Sequence, residues 1–274
     1  MFYVYLVASA ALIPILDNFF EILRQSYSWW LVPLLFVAFF LGFAILHILI
    51  TVLWILTIRT DRPVKNGAAF RAWVNLTIPL LMKLVRVKVN ARGVDKVPQN
   101  GRMLFVCNHQ HDFDPVMMLS VFPDYDIGFI GKKEIYKTMP LIGKAMHGLC
   151  CLPIDRENNR EAAKTIIEAV HILKEDKASI GLFPEGYVSK SCELLPFRNG
   201  SLKIACKAKA PIVVCVLNNT RAIPKRMFLR HTDIEFRVLS VITPEEYEGM
   251  NTNELGDIIH SQMKTALDEI RTDR

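Results

Sequence analysis

From Gln25 to Ile58 the chain holds no Asp, Glu, Lys or Arg. As a helix those 34 residues would rise about 51 Å, against roughly 30 Å of bilayer hydrocarbon. Trp29 and Trp30 lie towards one end and Trp54 towards the other. On a helix they stand about 36 Å apart, close to the spacing of two interfacial aromatic belts. A buried core helix rarely runs so long without a charge, so the segment is expected to span a membrane. Arg59, Arg62, Lys65 and Arg71 follow it, whereas Arg24 alone precedes it. By the positive-inside rule the C-terminal body then belongs on the cytoplasmic face of the cell membrane. Residues 1–16 are also apolar, but Pro14 interrupts them and no basic segment precedes them. They do not read as a signal peptide. A second, short or tilted helix, with Asp17 and Glu21 in an outer turn, would leave the body on the same side, so the membrane region has one helix or two.

Residues 1–58 contain one cation and two acids; the other 216 carry 32 Lys and Arg against 25 Asp and Glu, a net +7. The expected organisation is a membrane region over 1–58 and a basic body over 59–274, large enough to bury its own core. A basic body suits an anionic leaflet or a phosphorylated ligand, and no nucleic-acid motif accompanies the charge. The six cysteines form no Cys-x-x-Cys pair and four sit in apolar runs, which suggests a reducing compartment. Short apolar runs at 85–89, 103–106, 127–130, 149–154, 179–183, 212–217 and 234–238 read as strands. Helical periodicity occupies 160–174 and 250–271, and residues 68–83 read as a helix lying along the membrane surface. The alternation predicts an α/β fold, a layered mixed sheet flanked by helices.

Three clusters could carry chemistry. In Asn108-His109-Gln110-His111-Asp112-Phe113-Asp114-Pro115 an apolar strand ends and a helical run begins, the place where α/β proteins set reactive groups. Asp114 before Pro115 also fits a helix N-cap followed by a first-turn proline. An imidazole held by a carboxylate is the base half of a nucleophilic site, and His109 with Asp114 offers that. The alternative is a metal held by His109, His111 and Asp114. The second cluster is Ile154-Asp155-Arg156, with Lys132 and Lys133 upstream. Arg156 can grip phosphate through its fork, or be exposed behind an Asp155 cap. The third, Phe183-Pro184-Glu185-Gly186, is a turn whose glycine permits positive φ or close ligand approach; otherwise it is an ordinary turn with a surface Glu.

Together these residues resemble the phospholipid and glycerol-phosphate acyltransferases, and within them the bacterial 1-acylglycerol-3-phosphate acyltransferases. That family carries His-x4-Asp, a strand ending in Ile-Asp-Arg, then Phe-Pro-Glu-Gly and a Pro-bearing apolar strand. Here these are His109 to Asp114, Ile154 to Arg156, Phe183 to Gly186, and Ala210-Pro211-Ile212-Val213. The likeness spans about residues 70–220. Three positions depart from it: His111 stands where Ser is frequent, Tyr187-Val188-Ser189 where Thr-Arg-Ser is frequent, and Val214 where a second proline is frequent. They bear on the identity of the acceptor.

The resemblance implies transfer of a fatty acyl group from acyl-CoA or acyl carrier protein to a lysophospholipid hydroxyl in the bilayer, with 1-acylglycerol-3-phosphate as acceptor. His109 would be the base and Asp114 its partner. Lys132, Arg156, Phe183, Pro184, Glu185 and Gly186 would bind substrate, and no metal or other cofactor is called for. The rival readings are a membrane-bound metallohydrolase built on His109, His111 and Asp114, and a lipid-binding protein of the same fold without activity.

Overall fold

The computed structural model describes residues 2–20, 30–64, 67–189 and 191–272. The chain divides into two compact units, Met1–Ile58 and Arg59–Arg274.

In the first unit, α1 (Phe2–Phe20) packs against α2 (Leu31–Thr57). The Tyr5 ring lies 6.1 Å from Phe43 and 5.9 Å from His47. At 27 residues, α2 rises about 40 Å and is long enough to cross a bilayer; most of its large apolar side chains are exposed. Pro14 does not end α1, which continues through Asp17. The expected outer turn is thus corrected at Asp17, whose backbone is helical. Glu21, Arg24 and Trp29, like Lys65 beyond α2, lie outside the described residues.

The second unit begins with α3 (Ala68–Leu84) and continues β1 (Val87–Arg92), β2 (Leu104–Cys107), α4 (Asp114–Val121), β3 (Ile127–Lys132), α5 (Lys133–Thr138), α6 (Pro140–Gly148), β4 (Leu152–Ile154), α7 (Asn159–Lys174), β5 (Ser179–Leu182), α8 (Lys203–Ala208), β6 (Ile212–Asn218), α9 (Ile223–Arg226), β7 (Thr232–Ile242) and α10 (Thr252–Thr272). Among the described residues seven strands form one sheet in the order β1-β7-β6-β2-β5-β3-β4. Strands β2 to β6 are mutually parallel, and β7 runs antiparallel to β6. The central strands β2, β5 and β6 are buried throughout, which is why they read as continuous apolar runs. Strand β7 alternates along its first seven residues, the period of a strand with one packed face.

Each face of the sheet has its own core. α7, α8 and α10 cover one, with Ile172, Ile204 and Ile259 fully buried; α3 and α4 cover the other, with Met117 and Phe122. Residues 68–83, expected along a membrane surface, form α3, which turns one face into this core. Phe70, Ile78 and Met82 of α3 are buried in the body. Arg71 is buried too, paired with Asp126 at 3.2 Å and donating to the carbonyls of Ile127 and Leu149. A guanidinium spent inside the fold is not a flanking charge facing lipid headgroups.

Parallel pairing from β2 to β6 sends all their C-terminal ends to one edge of the sheet. That edge carries 108–114, 155–156, 183–186 and the β6–β7 connection, segments far apart in sequence.

Candidate active site

Strand β2 ends at Cys107, and the next residues are held as a fixed loop. The Asn108 side chain pairs with Leu217 of β6, accepting from its N–H at 2.8 Å and donating to its carbonyl at 3.0 Å. Gln110 is likewise tied to β6: its Oε1 accepts from Asn219 N–H at 3.0 Å and its Nε2 donates to Asn218 Oδ1 at 3.3 Å. Between these two anchors stands His109.

Asp114 holds the His109 ring. Its Oδ2 lies 2.8 Å from His109 Nδ1 and accepts the backbone N–H groups of Gln110 at 2.6 Å and His111 at 2.8 Å. The side chain is 0% exposed, so three donors converge on one oxygen away from water. The N-cap reading of Asp114 is corrected here. It is the first residue of α4, after Phe113, and its carboxylate accepts amides that precede the helix. His109 is 11% exposed and its ring stacks on Phe183, with centroids 4.4 Å apart. With Nδ1 turned to Asp114, Nε2 makes no hydrogen bond among the described residues. The ring can take a proton at Nε2 while the carboxylate stabilises the resulting imidazolium.

Glu185 is not the surface residue of an ordinary turn. It is 3% exposed; Oε1 accepts His109 N–H at 2.6 Å and Oε2 accepts Leu195 N–H at 2.9 Å. Burial pushes its carboxyl up to about 6, against the pull of those two amides. Both oxygens are committed to backbone, so Glu185 positions the His109 loop and does not reach the cavity. Ser189 N–H adds a bond to the His109 carbonyl at 2.9 Å. Gly186 has φ +75°, and a Cβ there would stand 2.9 Å from Arg198 Cδ. Only glycine lets that arginine lie across the turn.

Beside the turn is a cavity of about 600 Å³ lined by Phe183, Pro184 and Gly186, by the apolar face of α7 (Ala163, Ile166, Ile167), and by Arg156, Arg198, Lys203 and Lys207. The two arginines flank one ring: Arg156 Cζ is 5.3 Å and Arg198 Cζ 5.0 Å from the Tyr187 centroid. Arg198 also donates to Tyr187 Oη at 3.0 Å and to the Arg156 carbonyl at 3.3 Å. Burial lowers the pKa of the Arg156 guanidinium and the Arg198 charge adds to that, Tyr187 opposing. None of the four cations has a carboxylate within ion-pair distance among the described residues. Two guanidiniums sharing a ring, with Glu134 acting on Arg156 only from beyond ion-pair distance, could hold an anion.

The structure thus gathers Arg156, Phe183, Pro184 and Gly186 at the cavity, with His109 one ring-stack away. It does not gather Lys132, which is half-exposed with Nζ 3.7 Å from Glu134. The Asp155 cap is corrected as well. Asn158 caps α7, accepting from Arg160 and Glu161 N–H, while Asp155 closes a turn onto the amides of Glu157 and Asn158. His111 turns away from His109: its Nδ1 accepts Phe113 N–H at 3.2 Å and its ring stacks on Phe113. Among the described residues no three His, Cys, Asp or Glu side chains converge as metal ligands, and the metallohydrolase arrangement is not supported. Sequence reasoning missed Arg198 and Lys203, which lie twelve and seventeen residues beyond Gly186.

Residues 88–218 match the family model described as Acyltransferase. The mouse protein named 1-acyl-sn-glycerol-3-phosphate acyltransferase alpha is 27% identical over 198 residues, 69% of this chain and 67% of its own. The Escherichia coli K12 protein named 1-acyl-sn-glycerol-3-phosphate acyltransferase is 33% identical over 144 residues, covering 52% of this chain and 58% of its own. The crystal structure of the Thermotoga maritima 1-acyl-sn-glycerophosphate acyltransferase PlsC superposes with a TM-score of 0.63 over 81% of this chain and 87% of that one, at 20% identity, and so shares the fold. The matched span contains the His109–Asp114 pair, the Phe183–Gly186 turn and the paired arginines, so the part of the chain that holds the candidate site is similar to the acyltransferase family.

Proposed function

We propose that the protein transfers a fatty acyl group from an acyl-CoA or acyl carrier protein thioester to the free hydroxyl of a lysophospholipid, specifically 1-acylglycerol-3-phosphate, giving phosphatidic acid. The observation that carries the reading is the 2.8 Å His109–Asp114 contact, with Nε2 uncommitted and a cationic cavity alongside. Names borne by the mouse and E. coli relatives support the acceptor.

In this reading His109 Nε2 takes the acceptor's hydroxyl proton as the oxygen attacks the thioester carbonyl. Asp114 stabilises the imidazolium. The tetrahedral intermediate collapses, the C–S bond breaks, and the departing thiolate takes the proton back from His109. The products are an ester and a free thiol, with no acyl group on the protein. Arg156 and Arg198 bind the acceptor phosphate, and Glu185 fixes the loop that aims the imidazole. Residues 1–58 form the membrane region with α2 as a span, and residues 59–274 form a cytoplasmic catalytic domain.

The test is transfer by the purified full chain in mixed micelles, with paired donors against a panel of lyso-acceptors. Lysophosphatidate should be acylated with one thiol released per ester. His109→Ala should lose about 10²–10⁴-fold in kcat. Thiol release with free fatty acid as the product, or near-normal turnover of the variant, would overturn the reading.

A further inference from the structure

The β6–β7 connection leaves the sheet at the edge that carries His109, and nothing in the acyl-transfer mechanism uses it. Residues 219–232 contain Arg221, Lys225, Arg226 and Arg230 and no acid. The segment is firmly seated. Ile223 is fully buried, Met227 packs against the core beneath α3 and α4, and Arg221 donates to the Ser189 carbonyl at 3.3 Å. Successive backbone bonds from Met227 to Ile223 and from Leu229 and Arg230 to Arg226 close the turn. On this rigid base Phe228 takes the left-handed region at φ +69° and is 56% exposed, and Leu229 is 83% exposed. Lys225, Arg226 and Arg230 flank these two residues in sequence, all exposed and none ion-paired among the described residues.

An exposed apolar pair on a turn with three cations suits a lipid–water interface. The apolar tips enter the boundary between headgroups and acyl chains while the cations meet anionic headgroups. A folded protein partner fits less well. It would have to bury on the order of 1,000 Å² in all with a complementary surface, and two projecting side chains supply neither the area nor a groove. We infer that the Lys225–Arg230 turn is an interfacial anchor that inserts Phe228 and Leu229 into an anionic membrane leaflet, setting the His109 edge of the sheet against the lipid. The inference rests on the membrane reading of α2, but not on the acceptor.

The experiment uses the full chain in vesicles. Cys192 and Cys206, the two cysteines that are not buried, are first changed to serine. An environment-sensitive fluorophore is then placed at Leu229→Cys, and in a second protein at Asp124→Cys on the opposite edge of the sheet. Co-flotation of both with vesicles reports on α2 separately. The probe at 229 should shift its emission to the blue in phosphatidylcholine–phosphatidylglycerol vesicles and be quenched by shallow spin-labelled lipid, while the probe at 124 stays in water. Lys225→Glu together with Arg226→Glu and Arg230→Glu should abolish the shift on anionic vesicles. A 229 probe that stays water-exposed on vesicles which both proteins float with overturns the inference. So does a blue shift produced without vesicles by an acidic acyl carrier protein, or by raising the concentration of the chain itself.

Discussion

Replacing Asp114 by Asn isolates the role of its charge. The carboxylate's Oδ2 receives three donors, and an Asn oxygen in the same place still accepts all three. What disappears is the negative charge beside a ring that becomes cationic in the transition state. Taking about 4 Å between the charge centres and an effective dielectric of about 20, the lost attraction is about 4 kcal/mol, or roughly 10³-fold in rate. Stability suffers less. The Asn amide nitrogen would take the place of Oδ1, a buried atom with no hydrogen-bond partner, and an unsatisfied donor there costs about 1–3 kcal/mol. Turnover of Asp114→Asn is read by thiol release under saturating substrates, at a temperature where thermal unfolding shows the variant folded. A kcat within tenfold of the parent's in a folded sample would refute the electrostatic role, as would a rate loss that tracks the unfolded fraction.

Glu185→Gln tests the buried carboxyl. A folded-state value of about 6 against 4.5 ordinarily means its contribution to stability is fully present below pH 4.5 and lost as pH rises through about 6, roughly 2 kcal/mol in all. Denaturant titrations at pH 4.5 and 7 should show the variant without that part of the slope, and an unchanged slope would count against a titrating Glu185. Cys107→Ser should keep substantial activity, because burial holds the Cys107 thiol far from ionisation; initial-rate lines should intersect, and a donor-derived acyl group trapped on Cys107 would move the nucleophile onto the protein. Arg198→Gln should raise the lysophosphatidate KM about 10–100-fold with little change in kcat, the signature of a lost charge-assisted contact; an equal rise in the acyl-donor KM would argue against headgroup binding.

The strands were legible in the sequence because burial on both faces writes itself as unbroken apolar runs, as in Ile212–Leu217. Their order in the sheet was not, since nothing local says that β6 inserts beside β2 while β3 and β4 move outward. His109 and Asp114 could be paired from spacing and resemblance. The direction of the Asp114 carboxylate, back towards 110 and 111, depends on a loop conformation set by β6. Glu185 looked like a turn residue because a turn motif does not reveal what packs over it. Arg198 was hidden for another reason: fifteen residues separate it from β5, and a connection of that length does not disclose where it returns.

The backbone of His109 has consequences for how the molecule comes into being. Its N–H is satisfied by a carboxylate 76 residues later in the chain, its carbonyl by Ser189, and the neighbouring Asn108 by a residue 109 positions on. Apart from Asp114, the groups that hold the loop come from much later in the chain. A nascent polypeptide that has emerged only through α7 already contains His109 and Asp114 yet lacks Glu185, Ser189 and Leu217, and contacts of such sequence separation slow folding. The His109 loop is complete only where β5 and β6 have joined β2, and partly synthesised or partly unfolded chains carry His109 and Asp114 without that full set of contacts.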